Sequence, residues 1–237
     1  MAKVVILSGA GISAESGIST FRDSGGLWEE YDISVVCNYD SLDKNEDITI
    51  EFYDKRRAEI EDKEPNYAHR VIKELKDKYK ADIAVITQNV DNLFEKAGMS
   101  AEDVIHLHGF MPTVACRNEQ CSEVYDIGYK ALSSFNDGKC PECGTKLRPN
   151  IVFFGEAAPM YERLNAEIKK CEFFVVIGTS GNVIEVNSIA AFCDYSILNN
   201  LEQSSAIAER DFDKVIYDKA SNAIETIAQD IHNFLEA

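Results

Sequence analysis

Four cysteines stand as two close pairs, Cys116-x4-Cys121 and Cys140-x2-Cys143, with 18 residues between the pairs. Thiolates at this spacing suit tetrahedral coordination of one zinc ion. Pro141 and Gly144 supply a tight knuckle around the second pair. Four thiolates close the coordination sphere and leave no position for water or substrate, so a zinc held here is structural. The competing reading is a nucleic-acid zinc ribbon. The formal net charge of -17 works against it, because an acidic chain is repelled by phosphate backbones.

Four other short stretches carry chemistry. Ser8-Gly9-Ala10-Gly11 breaks an apolar run and leads into a segment with a further glycine, Gly17. Glycines there allow a backbone to approach a pyrophosphate closely. The glycines alone fit a structural turn nearly as well. Phe21-Arg22-Asp23 then puts an aromatic and a cation after the loop, which suits covering an anionic nucleotide. Thr87-Gln88-Asn89-Val90-Asp91, His106-Leu107-His108-Gly109 and Gly178-Thr179-Ser180-Gly181 each follow an apolar run. A histidine beside amides and a carboxylate is placed for proton transfer near neutral pH. In an alternating strand His106 and His108 face the same way, so periodicity does not choose between them.

These stretches need a frame that brings them together. Apolar runs at Val4–Leu7, Ile83–Ile86, Val104–Leu107, Phe173–Ile177 and Tyr195–Leu198 read as buried parallel strands, with Val215–Tyr217 a weaker one. Helical patterns lie between them at Tyr67–Tyr79, Tyr161–Lys170, Val186–Phe192 and Ser221–Leu235. This alternation predicts an α/β, Rossmann-like parallel sheet with helices on both faces. Its ligands bind at the carboxyl ends of the strands, where all four polar stretches fall. Residues 32–66, with one helical pattern near Ile50–Ile60, and the cysteine-bearing residues 113–147 interrupt the alternation. They are expected to form a small lobe beside a large lobe of residues 1–31, 67–112 and 148–237.

The 237 residues and 45% hydrophobic content suit one globular catalytic domain. No apolar run reaches the roughly 18 residues of a membrane helix. The chain enters its first strand directly after Met1-Ala2-Lys3, so no signal peptide is expected and the cytoplasm is the expected location. Of the seven cysteines, Cys37, Cys171 and Cys193 lie outside the cluster and read as small packed residues. No specific nucleic acid and no membrane are expected as partners, and a monomer is compatible with the sequence.

A hydride-transfer site is disfavoured. The dinucleotide fingerprint needs a third glycine and an acidic residue about 20 positions on, at the end of a second strand. Here Ala14 follows Gly11, and residues 19–30 do not read as a strand.

Taken together, the chain resembles the sirtuins, NAD-dependent protein-lysine deacylases. The matching segments are GAGISAESGISTFR (9–22), TQNVDNL (87–93), HLHG (106–109), the four-cysteine module, IVFFGE (151–156), GTSG (178–181) and NLEQS (200–204), in family order along nearly the whole chain. The resemblance implies that NAD is consumed as a co-substrate. Gly9, Ala10, Gly11, Ile12, Glu15, Phe21, Arg22 and Trp28 fall in the NAD loop. Gln88, Asn89, Val90 and Asp91 fall at the ribose and nicotinamide. Gly178, Thr179, Ser180, Asn200, Leu201 and Ala220 fall at the adenosine. His108 matches the catalytic base, with Asn89 beside it as a catalytic positioning group. Val152, Phe153, Phe154 and Gly155 match the strand that pairs with the substrate backbone.

The implied reaction expels nicotinamide from the ribose, and the acyl-lysine oxygen attacks C1′. His108 then takes a proton from the ribose hydroxyls, so that the 2′-oxygen attacks the resulting imidate. Water finally releases lysine and 2′-O-acyl-ADP-ribose. Two rivals remain: a protein mono-ADP-ribosyltransferase, which would transfer ADP-ribose to a protein, and a non-catalytic NAD-sensing module. His108 and the pair Tyr53 and Arg56 favour deacylation over the first, and the presence of His108 and Asn89 speaks against the second.

Tyr53 and Arg56, at i and i+3 on the first insertion's helix, share one face. An arginine fork and a phenol together suit a carboxylate. This Tyr-x-x-Arg pair and Ala14 resemble the subgroup that removes succinyl, malonyl or glutaryl groups, and acetyl removal stays open beside it. By spacing alone the pair reads better as a solvated helix face; the resemblance favours acidic-acyl binding. After GTSG the chain continues Asn182-Val183-Ile184-Glu185, where relatives carry a Val-Tyr-Pro-Ala type sequence. A Glu185 pointing inward would be unfavourable beside a phosphate-bearing ligand.

Overall fold

The computed structural model describes residues 2–20 and 30–237. Its larger sheet has six parallel strands: β1 (Val4–Ser8), β2 (Ile83–Thr87), β3 (Val104–His106), β7 (Phe173–Ile177), β8 (Tyr195–Asn200) and β9 (Lys214–Tyr217). They lie in the order β3-β2-β1-β7-β8-β9. Strands β1, β2 and β7 are buried along their whole length, which is why they read as unbroken apolar runs.

Side chains alternate between two cores. Val4, Ile6, Val85, Phe173, Val175 and Ile197 face one core. It is closed by α4 (Tyr67–Tyr79) and α8 (Ala220–Leu235), through Ile72, Leu75, Ile224 and Ile227 among others. Val5, Leu7, Ile86, Phe174, Val176 and Leu198 face the other. There they meet Leu164 of α6 (Tyr161–Ile168) and Val186 and Ala190 of α7 (Val186–Ala190).

Helix α4 has the predicted bounds because its start is capped: the Asn66 side chain accepts from the Ala68 N–H at 3.0 Å. Helices α6 and α7 each stop two residues earlier than their apolar spacing predicts, and α8 starts one residue earlier. Helix α3 (Glu46–Glu59) begins four residues before the predicted pattern. Its first turn carries Glu46 and Asp47 and its last turn Arg56 and Arg57, each sign complementing the helix dipole.

A three-stranded antiparallel sheet, β5-β4-β6, lies apart from the large one. It consists of β4 (Gly109–Cys116), β5 (Val124–Asp126) and β6 (Leu147–Ile151). Arg57, fully buried, ties α3 to this sheet by donating from Nε to the Met111 carbonyl at 2.9 Å, and its guanidinium also pairs with Asp54. The short helices α1 (Gly11–Ala14), α2 (Ile33–Val36) and α5 (Leu93–Lys96) complete the elements used below. Among the described residues no helix is long and apolar enough to cross a membrane.

Candidate active site

Because the large sheet is parallel, the ends of β1, β2, β7 and β8 open on one edge. Strand order reverses beside β1: the chain goes from β1 to β2 on one side, and β7 pairs on the other. Such a switch point leaves a crevice for a ligand. Here the loop after β1 meets the loop after β7. Gly11 N donates to the Gly178 carbonyl at 2.8 Å, and Gly9 N to the Ile177 carbonyl at 2.9 Å. A Cβ on Gly11 would lie 2.6 Å from Gly178 Cα, and Gly178 itself has a φ of +66°. Only glycine permits this contact.

The two loops floor a cleft of about 1010 Å³. Gly9, Ala10, Gly11, Ala14 and Glu15 line it from the first loop, and Gly178, Thr179 and Ser180 from the second. Asn200, Leu201 and Ala220 line it from the ends of β8 and the start of α8. Cleft size and bare backbone together fit a dinucleotide. Ile12 differs from its neighbours in the loop. Its side chain is fully buried in the core beneath the sheet and does not line the cleft, because one face of the short α1 must pack inward. Phe21, Arg22 and Trp28 lie outside the described residues.

Behind the glycine loop, Ser13 joins two of the expected residues. Its Oγ donates to Asp91 Oδ2 at 2.9 Å and accepts from Asn89 Nδ2 at 2.9 Å. Asp91 also accepts from the Leu93 N–H at 3.1 Å. Burial raises the Asp91 pKa against these hydrogen bonds. Gln88 Nε2 donates to Thr179 Oγ1 at 3.0 Å, and Asn200 Nδ2 to the Thr179 carbonyl at 3.0 Å, so the strand ends brace one another. Glu15 accepts from Ser221 N at 3.0 Å at the start of α8.

The structure separates the two histidines. Strand β3 ends at His106, and His108 lies beyond it, so alternation does not govern the pair. His106 hydrogen-bonds the Asn89 carbonyl through Nδ1 and Glu95 through Nε2, each at 2.9 Å. Burial alone would lower its pKa. Glu95, the Asn89 carbonyl and Asp91 together outweigh it and raise the pKa. His108 faces the cleft. Its Nδ1 lies 2.9 Å from the Gln88 carbonyl and its Nε2 3.0 Å from the Tyr161 hydroxyl. Burial lowers its pKa, opposed by the Gln88 carbonyl. The imidazole is therefore neutral at pH 7, and the Gln88 carbonyl fixes the tautomer whose Nε2 accepts.

Helix α3 carries Tyr53 and Arg56 into the same cleft, and both are buried. The expectation of a shared face holds, and the solvated-face alternative does not. Tyr53 stands edge-on to Phe153, with ring centroids 5.5 Å apart, and its hydroxyl donates to Cys37 Sγ at 3.6 Å. Arg56 Nη1 meets Glu59 at 3.3 Å. Burial lowers the Arg56 pKa, with Glu59, Tyr53, Asp91 and Cys37 opposing.

Val152, Phe153, Phe154 and Gly155 line the cleft, but not as a regular strand, because β6 ends at Ile151. Val152 N donates to the His108 carbonyl at 2.9 Å, and Phe154 N to the Cys37 carbonyl at 2.8 Å. Phe153 N is held by Glu156, which Arg148 grips through two nitrogens. The segment is thus an extended, braced ledge. The departing stretch after the β7 loop also resolves. Asn182 and Val183 line the cleft, whereas exposed Glu185 turns away and caps α7, accepting from the Asn187 N–H at 3.2 Å.

The four clustered cysteines bring their sulfurs within 4.8 Å of one another. The Cys116–Cys143 and Cys121–Cys140 sulfurs are 3.4 and 3.7 Å apart. A tetrahedral zinc with bonds of about 2.3 Å separates its sulfurs by about 3.8 Å, so the set fits the ion. Gly144, at a φ of +72°, closes the knuckle, its N–H donating to the Cys140 carbonyl at 2.8 Å. None of the four lines the cleft, as a structural ion requires.

Four residues were not singled out for the site by the sequence. Ser13 and Tyr161 each touch an expected catalytic group, Cys37 lies against Tyr53, and Glu95 pairs with His106. Spacing could have flagged Ser13 alone, through its place inside the glycine loop.

Comparison with known proteins agrees with this geometry. The Sir2 family model matches residues 9–185. An NAD-dependent protein deacylase of Campylobacter jejuni is 46% identical over 100% of this chain and 98% of its own length. One of Helicobacter hepaticus is 42% identical over 99% of each chain. Among solved structures, a Sir2 homolog–NAD complex superposes with a TM-score of 0.82 at 30% identity, covering 98% of this chain and 90% of that one.

Proposed function

Since this chain belongs to the Sir2 family and is an NAD-dependent protein deacylase whose four cysteines fit a structural zinc, we propose that it removes succinyl and malonyl groups from protein lysines as well as acetyl. The observation that carries the acyl reading is a buried cation, Arg56, lining the cleft beside the Tyr53 phenol. Desolvating a guanidinium is costly unless an anion answers it. Glu59, whose side chain is 45% exposed, answers it at 3.3 Å. A carboxylate at the end of an acyl chain would meet the same guanidinium from inside the cleft, where water is scarce and the pairing strong.

In this reading residues 1–31, 67–112 and 148–237 form the nucleotide lobe, residues 32–66 and 113–147 the small lobe, and the ligands meet between them. NAD supplies the ribose that accepts the acyl group. Gly9, Gly11 and Gly178 let the backbone reach its phosphates. The Ser13–Asn89–Asp91 network orients the ribose and the carboxamide, a positioning role. His108 accepts a proton at Nε2 as general base. Its lowered pKa and its neutral, correctly oriented ring support that role. The acyl-lysine peptide lies along Val152–Gly155.

The test is a mass-spectrometric assay with NAD on matched succinyl-lysine and acetyl-lysine peptides, run beside Arg56→Met. Loss of mainly the succinyl activity in the variant is expected. Removal of acetyl alone by the wild type, unchanged in Arg56→Met, would end the acidic-acyl reading.

A further inference from the structure

Tyr161 opens α6, and Leu164 one turn later anchors that helix in the core. Six to nine residues upstream lies the ledge Val152–Gly155. The chain between them turns at Gly155, which has a φ of +87° and open space where a Cβ would stand. The Tyr161 ring is tilted against the His108 ring, with centroids 6.0 Å apart, and its hydroxyl lies 3.0 Å from Nε2. Burial raises the phenol pKa, so the group is a neutral hydroxyl and a donor at physiological pH. His108 Nδ1–H is already directed to the Gln88 carbonyl, which leaves Nε2 as the ring's single acceptor. Tyr161 therefore fills the one position a general base needs open. No charged side chain among the described residues contributes to the His108 shift: burial lowers the pKa, and the Gln88 carbonyl opposes it.

We propose that Tyr161 is a positioning residue for His108: its hydroxyl occupies the accepting Nε2 in the free chain, and the ribose hydroxyl of NAD displaces it on binding. This rests on His108 being the general base. With the Gln88 carbonyl fixing the tautomer through Nδ1, the contact holds the ring in place before the co-substrate arrives. It also sets a cost on binding, because one hydrogen bond is broken for the one that forms. In the occupied site the phenol no longer touches the base, so the chemical step proceeds without it.

The experiment compares wild type, Tyr161→Phe and His108→Ala. Phenylalanine keeps the ring packing and removes only the oxygen. The His108 titration is followed by NMR in the free protein, ADP-ribose binding by calorimetry, and kcat and KM for NAD as functions of pH. A hydroxyl donated to Nε2 stabilises the neutral ring, so Tyr161→Phe moves the free-protein titration to higher pH. ADP-ribose binding tightens by about 2- to 10-fold, the equivalent of one ordinary hydrogen bond no longer broken. KM for NAD falls in step, and kcat stays at its wild-type value. The proposal is overturned if the titration and the affinity are unmoved, or if kcat falls while affinity stays constant. A His108→Ala protein that keeps wild-type kcat removes the general-base reading itself. A dead His108→Ala beside an unaffected Tyr161→Phe removes only the role of Tyr161.

Discussion

His106 and His108 turn their Nδ1 atoms onto the carbonyls of two consecutive residues, Asn89 and Gln88, each at 2.9 Å. Consecutive carbonyls of a non-helical segment point in different directions, so the two rings part company. His106 goes to Glu95, and its pKa is raised. His108 goes to the cleft, and its pKa is lowered. One short stretch thus carries two imidazoles whose surroundings shift them in opposite directions.

The pH profile should report this division. A general base works only when unprotonated, and a lowered pKa keeps it unprotonated further into acid. The acid limb of kcat/KM for the acyl-lysine peptide should therefore fall below the ordinary histidine value of about 6.5. His108→Ala should cost about 100- to 10,000-fold in kcat. A limb above 6.5 would assign the essential base elsewhere.

Ser13→Ala should damage both stability and turnover. It removes the donor to Asp91 Oδ2 and the acceptor of Asn89 Nδ2 at once. Leaving a buried carboxylate oxygen without its partner costs about 1–3 kcal/mol. Denaturant unfolding should show that loss, and kcat/KM for NAD should drop by at least about tenfold. A variant with wild-type values on both counts would mean the network does not orient the ribose pocket.

His69 should make the fold sensitive to acid. It is fully buried against Phe94, neither ring nitrogen has a hydrogen-bond partner among the described residues, and burial, aided by Arg70, lowers its pKa to about 3. The unfolded chain binds a proton there near pH 6.5, and the folded chain does not until about pH 3. Stability from this group is complete above the unfolded value and is lost as pH falls between the two, by up to about 1.4 kcal/mol per unit. Thermal melts of His69→Leu should decline less between pH 7 and 4 than those of wild type. Parallel declines would assign acid sensitivity to other groups.

Zinc removal should loosen the small sheet before it harms the large one. Binding energy at a thiolate site is folding energy for the segment that supplies the ligands. A strong chelator, or Cys143→Ser, should lower the melting temperature and increase amide exchange in β4, β5 and β6. Exchange in β1, β2 and β7 should change little. Uniform protection throughout would show that the cysteines do not hold a metal that matters to the fold.

The sequence by itself determined the large sheet, since a strand buried on both faces is apolar throughout, as Val4–Leu7 and Phe173–Ile177 are, and helical patterns alternate with these runs. It also determined the zinc module, because two close thiol pairs suit one zinc ion. The glycine loop became more than a turn only where folding pressed Gly9 and Gly11 against Gly178. Only the tertiary structure decided which histidine faces the cleft, since that choice depends on the carbonyls of residues 88 and 89 and on where β3 ends. It alone showed Tyr161 on His108 and Cys37 on Tyr53, contacts between residues 53 and 16 positions apart that no local period encodes. It turned Glu185 outward to cap a helix and Ile12 inward to the core, because each was claimed by a nearer need: an uncapped N–H for one and an apolar face for the other. Chemistry that sits within one stretch is written in that stretch. Chemistry shared between stretches exists only once folding has brought them into contact.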